Sequence, residues 1–175
     1  FFGGGTPSLF SAASIKQLLD ALRDQLTFSP ECEITLEANP GTFEQEKFAG
    51  YLASGINRLS IGVQSFQPAQ LTKLGRIHSA DDALTAIRSA QDVGFTRINV
   101  DLMHGLPDQT STQAATDIRT ALDCGISHLS WYQLTIEANT HFHKYPPLLP
   151  AEDTLADIQH RGLTTLSAYG LQQYE

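Results

Sequence analysis

The chain has 175 residues, 41% of them hydrophobic and 17% charged, and a net charge of −8 from 19 acidic and 11 basic residues. That suits one globular domain with a core of its own. The acidic balance, without a basic cluster, speaks against a nucleic-acid footprint, and no run of about 18 apolar residues marks a membrane span.

In chain order, the sequence opens Phe1-Phe2-Gly3-Gly4-Gly5-Thr6-Pro7. It does not start with Met, so the expectation is that the true N-terminus lies upstream. Phe1 and Phe2 read as the end of a strand. Three glycines after it let the backbone approach a ligand closely and bare its amides and carbonyls, the alternative being a flexible turn. The loop is not a Walker loop, since no Gly-Lys-Ser/Thr follows, and it is not Gly-x-Gly-x-x-Gly. Ile15, Leu18, Leu19, Leu22 and Leu26 then fall at the spacing of a helix with one buried stripe.

A weak unit recurs from there. Gly55 opens Gly-Ile-Asn-Arg-Leu-Ser-Ile, Gly94 opens Gly-Phe-Thr-Arg-Ile-Asn-Val, Gly125 opens Gly-Ile-Ser-His-Leu-Ser-Trp, and Gly170 opens Gly-Leu-Gln-Gln-Tyr-Glu. Each follows an amphipathic stretch and precedes a short apolar run, which reads as a helix stopped by glycine and then a strand. Ala83, Leu84, Ile87 and Ala90 mark one such helix. Leu155, Ile158 and Leu166 mark another, weakened by Gly162. Strands are expected near 33–38, 57–63, 96–102 and 128–135, with another starting at 171–175. Strands alternating with helices make right-handed βαβ units and a parallel sheet.

An open doubly wound sheet would be apolar on both faces. Here one face carries Thr35, Glu37 and Asn39, then Ser60, Gly62 and Gln64, then Asn99 and Asp101, while Leu59, Ile61, Val63, Ile98, Val100 and Leu102 point the other way. A polar inner face suits the lumen of a barrel that holds a ligand, so the barrel is favoured over the open sheet. The strand at 129–134 sorts less cleanly, since Trp131 and Gln133 share a face.

Glu37, Gln64, Asp101 and Gln133 stand near the C-terminal ends of successive strands, the mouth where barrel enzymes place their sites. Arg76, in Leu-Gly-Arg-Ile-His, lies beyond a strand on the same mouth, and its planar fork suits a carboxylate. His78 and His104 read as structural or surface residues and not as bases, His141 and His143 lack further ligands for a metal, and Cys32 and Cys124 stand alone. Two carboxylates, two amides, an arginine and an open glycine backbone are compatible with a zwitterion that bears a ribose and extra positive charge, such as S-adenosylmethionine. A sugar phosphate would also suit Arg76 and the glycines.

The motifs Phe2-Gly3-Gly4-Gly5-Thr6-Pro7-Ser8, Glu37-Ala38-Asn39-Pro40-Gly41, Ser60-Ile61-Gly62-Val63-Gln64-Ser65-Phe66, Leu74-Gly75-Arg76 and Asn99-Val100-Asp101-Leu102-Met103-His104-Gly105-Leu106-Pro107 occur in this order. Together they resemble the radical S-adenosylmethionine proteins of the oxygen-independent coproporphyrinogen III oxidase family. Leu129-Ser130-Trp131-Tyr132-Gln133-Leu134-Thr135-Ile136-Glu137 looks most like that family's HemW branch, the heme chaperones. The resemblance implies a parallel (β/α)6 partial TIM barrel, truncated at both ends, of which residues 1–175 are the central part. It implies two cofactors, S-adenosylmethionine and a [4Fe–4S] cluster. By motif, Gly4, Gly5 and Thr6 match the loop that holds the methionine end, Glu37, Gln64, Arg76 and Asp101 match further S-adenosylmethionine contacts, and Thr135 falls at another lining position.

The family's Cys-x3-Cys-x2-Cys cluster motif lies upstream of the glycine loop, and neither Cys32 nor Cys124 matches it. The chaperone branch's C-terminal His-Asn-x-x-Tyr-Trp segment is not in these residues either. What the resemblance implies for function divides in two. A heme chaperone would bind heme and deliver it to respiratory heme proteins in the cytoplasm, touching membranes only through partners. An enzyme would take electrons from a donor and decarboxylate coproporphyrinogen III to protoporphyrinogen IX.

Overall fold

The structure is a computed structural model that describes residues 1–41 and 45–174. A single 3-10 turn at Pro7–Leu9 leads into α1 (Ala12–Gln25), β1 (Thr35–Ala38) and α2 (Phe48–Ser54). Next come β2 (Arg58–Gln64), α3 (Pro68–Lys73), α4 (Ala80–Asp92) and β3 (Ile98–His104). The chain ends with α5 (Ser111–Asp123), β4 (His128–Gln133), α6 (His141–Lys144) and α7 (Glu152–Ala168).

Local chemistry accounts for most boundaries. Ser79 and Thr110 open α4 and α5 with reciprocal capping boxes, closed by Asp82 and Gln113. Gly55, Gly94, Gly125 and Gly170 close helices at φ values of 105°, 105°, 76° and 82°, the left-handed conformation that a glycine takes without a Cβ penalty. These are the four glycines of the repeat. Gly162 has a different explanation: a Cβ there would meet the Trp131 indole, so α7 lies directly against that ring.

The four strands are parallel and follow chain order, β1-β2-β3-β4. Phe2 adds a one-residue parallel bridge to Leu36 beyond β1, so the first residues do end against the sheet. A parallel sheet in chain order, with right-handed crossovers, places every crossover helix on the same face, whereas a doubly wound sheet reverses its order. Leu36, Leu59, Ile61, Val100 and Leu102 lie fully buried under those helices with Phe48, Tyr51, Ile87 and Ile118. The opposite face keeps the polar side chains. This is the wall of a parallel β/α barrel.

Two expectations change. Residues 171–174 form no strand; the Leu171 amide donates to the Leu166 carbonyl at 3.1 Å and so finishes α7 instead of a ladder. Residue 175 lies outside the described residues. The apolar stripe of α1 is only half used: Ile15 and Leu19 are buried, but Leu18 and Leu26 are exposed.

Candidate functional site

The polar face opens into a cavity of about 660 Å³ lined from all four strands. Gly5, Thr6 and Pro7 form one side, Glu37, Ser60, Gly62, Gln64, Asn99, Asp101, Ser130 and Tyr132 the floor, and Arg76 the far rim. Register explains the assembly. Glu37 pairs with Ser60, Gly62 with Asp101, Asp101 with Ser130, and Met103 with Tyr132, so the inward positions of neighbouring strands stand side by side.

Asp101 is the centre of the floor. Its carboxylate accepts from the Ser60 hydroxyl at 3.0 and 3.2 Å and from the Asn99 amide at 2.8 Å. Asn99 also donates to the hydroxyls of Ser60 and Ser130, each at 2.9 Å. Burial nonetheless raises the Asp101 carboxyl above its ordinary range, and the nearby Glu37 charge adds to the rise. A half-desolvated carboxylate in a polar cradle is suited to ligand hydroxyls or a cation.

The glycine loop is tied to the strands by its backbone. Gly4 and Gly5 have φ values of 82° and 62°, and the Gly4 amide donates to Glu37 Oε2 at 3.2 Å. From α2, the Tyr51 hydroxyl donates to the carbonyls of Ser8 and Phe10 at 2.6 and 2.8 Å and so anchors the turn that follows the loop.

Gln64 ends β2 at φ 70°, where the register against β3 shifts between Gly62 and Gln64. Its Oε1 accepts from the Tyr132 hydroxyl at 2.8 Å. A Cβ on Gly62 would lie 2.9 Å from Gln64 Nε2, so glycine there leaves room for the amide to fold back over the floor. Arg76 follows Gly75, at φ 67°, and makes no ion pair among the described residues.

Gly5, Thr6, Glu37, Gln64, Arg76 and Asp101 therefore share one cavity, with Gly4 bonded to Glu37 at its edge. Thr135 stands apart. It is exposed, donates to Glu137 Oε1 at 3.0 Å, and lines a second groove with Gly75, Thr140 and His141. Gln133 does not join the ring. It pairs with His104 and points with Trp131 away from the lumen, and Tyr132 takes its place at the mouth. The alternation Ser130–Tyr132 carried that signal, but only the pairing of Asp101 with Ser130 decides which alternate set faces inward. Sequence reasoning also missed Arg58, which lines the cavity and pairs with Glu33 at 2.8 Å.

On the outer face, His104 stacks on Trp131 with ring centroids 4.1 Å apart. Burial lowers the His104 pKa to about 4, so the ring is neutral at pH 7. His78 is also held neutral by burial and donates from Nε2 to the Val63 carbonyl at 3.0 Å. His141 and His143 sit on the short exposed α6.

The donor set fits S-adenosylmethionine: two carboxylates for ribose hydroxyls and an ammonium, exposed glycine backbone, and an arginine fork for an α-carboxylate. The residues present do not fit an iron–sulfur cluster. Such a cluster is held by several thiolates, but the chain has two cysteines and neither lines the cavity.

Comparison with known proteins points the same way. The family model of the radical SAM superfamily matches residues 1–121. Over its whole length the chain is 53% identical to the heme chaperone HemW of Haemophilus influenzae and 51% identical to that of Escherichia coli, covering 46% of each. It is 41% identical to the mouse mitochondrial radical S-adenosyl methionine domain-containing protein 1, covering 40% of it. The chain thus spans about half the length of the curated relatives it matches. Among solved structures, coproporphyrinogen III oxidase (HemN) of Escherichia coli superposes with a TM-score of 0.86 at 28% identity, over 97% of this chain and 40% of that one. The Elp3 protein of Methanocaldococcus infernus shares the fold, with a TM-score of 0.75 at 19% identity over 93% of this chain and 43% of that one. Fold, polar lumen and family model agree: the chain belongs to the radical SAM superfamily.

Proposed function

We propose that residues 1–175 are the central part of one radical SAM barrel domain and that their cavity binds S-adenosylmethionine. The observation that carries this reading is the convergence of Asp101, Glu37, Gln64, Arg76 and the glycine loop on one polar cavity. In this reading Gly4, Gly5 and Thr6 offer backbone and hydroxyl groups to the methionine end, and Arg76 takes the α-carboxylate. Glu37 and Asp101 take the ammonium and ribose hydroxyls, and Gln64 adds an amide. Thr135 would reach the ligand only from the neighbouring groove. A [4Fe–4S] cluster would be held by cysteines outside these residues, and its chemistry with S-adenosylmethionine belongs to the cofactors, which the protein positions and shields.

For the whole protein we propose a heme chaperone of the HemW kind, acting in the cytoplasm and passing heme to respiratory heme proteins. Identity of 53% and 51% with two proteins of that name, over every residue of this chain, supports it. A second reading is an oxygen-independent coproporphyrinogen III oxidase supplied by an electron donor, favoured by the HemN superposition. At 28% identity that likeness is the weaker of the two. Full-length protein, prepared without oxygen, separates them by heme titration beside a coproporphyrinogen turnover assay. Stoichiometric heme binding without porphyrin product is expected; product formation would overturn the chaperone reading.

A further inference from the structure

We propose that Asp117, which lies outside the cavity, is a positioning residue that holds Gln64 in the strained turn from which its amide faces the lumen. The inference rests on the reading that Gln64 lines a ligand site, but its central claim concerns the backbone.

Three non-glycine residues among those described have positive φ: Gln64, Asp108 and Asn139. Asp and Asn tolerate that region because their short side chains bond locally, whereas glutamine has no such help. The Ser65 amide donates to the Val63 carbonyl at 2.9 Å across Gln64, which closes a three-residue turn with Gln64 at its apex. With a positive φ at the apex, this is the rare, strained form of the γ-turn. Strain of this kind persists only where the surroundings over-determine it.

The surroundings are on α5. Asp117 is 1% exposed and gives both oxygens to the segment just past Gln64. Oδ2 accepts from the Ser65 hydroxyl at 2.6 Å, and Oδ1 accepts from the Phe66 amide at 3.0 Å and the Gln67 side chain at 3.3 Å. Ser65 Oγ in turn accepts from the Gln67 amide at 3.0 Å. On the other side of the turn, His78 takes the Val63 carbonyl. The turn is therefore clamped before and after its apex, where the β2–β3 ladder has slipped.

Nothing else in α5 needs this carboxylate. The helix is capped by Thr110 and Gln113, and its other buried residues are Ala, Ile and Leu. No ion pair among the described residues includes Asp117. A buried acid without a cation is costly, and burial does push its carboxyl upward. Its hydrogen bonds come from Ser65, Phe66 and Gln67, the three residues that follow the apex. Were Gln64 to relax to negative φ, its amide would leave the lumen and release the Tyr132 hydroxyl.

The test uses full-length protein and two cycles. Asp117→Asn keeps the shape and removes one acceptor. Gln64→Gly takes positive φ without strain. If Asp117 holds the strain, Asp117→Asn lets the turn relax in the native background, so it lowers the thermal midpoint less there than beside Gln64→Gly, where no strain is recovered, a coupling that two independent sites would not show. Equal losses in both backgrounds would overturn the inference. In the second cycle S-adenosylmethionine affinity is measured by calorimetry. Asp117→Asn should weaken binding about tenfold, and should add nothing beside Gln64→Ala. A full additional loss there would also overturn it. If Gln64→Ala alone binds as tightly as the native protein, the ligand reading of Gln64 falls, while the stability cycle still decides the role of Asp117. Ser65→Ala, which removes the 2.6 Å bond to Asp117 and the bond from the Gln67 amide, replaces Asp117→Asn in both cycles if that variant does not fold.

Discussion

Two buried ionisable groups set opposite pH responses. Asp101 has its carboxyl raised by burial, so the folded state favours the protonated acid. Stability from that source is present at low pH and is lost as pH rises above the ordinary value of 3.8 through the folded value. The thermal midpoint of native protein should therefore rise relative to that of Asp101→Asn as pH is lowered toward 4. A difference that stays constant between pH 4 and 7 would contradict this. With ligand, the same variant should lose about 1–3 kcal/mol of S-adenosylmethionine binding by calorimetry, because the partners of the carboxylate are left mispaired. His104 has the reverse sign. Its pKa is lowered to about 4, so its contribution is complete above the ordinary 6.5 and is lost as pH falls from there toward 4. His78 acts in the same direction. His104→Phe keeps the stack on Trp131 and should flatten the acid limb of a stability–pH curve followed by circular dichroism. The polar lumen set of β1 to β3 was legible in the alternation of Thr35, Glu37, Ser60, Gln64, Asn99 and Asp101. The network that joins Ser60, Asn99 and Ser130 to Asp101 was not, because it depends on which residues of different strands stand side by side.

At the level of elements, the α7–β4 contact is the sharpest constraint. A Cβ on Gly162 would fall far inside contact distance of the Trp131 indole. Gly162→Ala raises intrinsic helix propensity, yet it should destabilise the protein by about 1–3 kcal/mol through overpacking. Trp131 is the chain's one tryptophan, so its fluorescence reports the displaced indole directly; an unchanged spectrum and midpoint would refute the contact. Sequence reading took this glycine for a weak point in a helix, because helical periodicity does not show what packs on each turn. The same limit explains β4. Its two faces are too similar in polarity for Gln133 or Tyr132 to be chosen without the partner strand. Helix ends were easier, since capping residues and left-handed glycines act locally.

For the whole molecule, the chain-order sheet separates two duties: helices and apolar core on one face, ligand chemistry on the other. One flank remains apolar. Phe1, Leu9, Phe10 and Leu18 are 75%, 61%, 62% and 45% exposed, beside the edge where Phe2 makes its short bridge. Exposed edges and apolar patches of this kind promote association. Residues 1–175 prepared alone should show concentration-dependent light scattering and bind a hydrophobic dye, and full-length protein should do so less. Equal behaviour would mean that this flank is open in the whole protein too.

The bond from the Gly4 amide to Glu37 joins the two sides of the cavity before any ligand arrives. The Gly4 amide uses one of the carboxylate's several acceptor sites. A ligand group that takes that site releases the Gly4 amide proton to solvent or to the ligand's other end, whereas one that takes a remaining site leaves it protected. Hydrogen exchange at Gly4 would distinguish these two modes of capture.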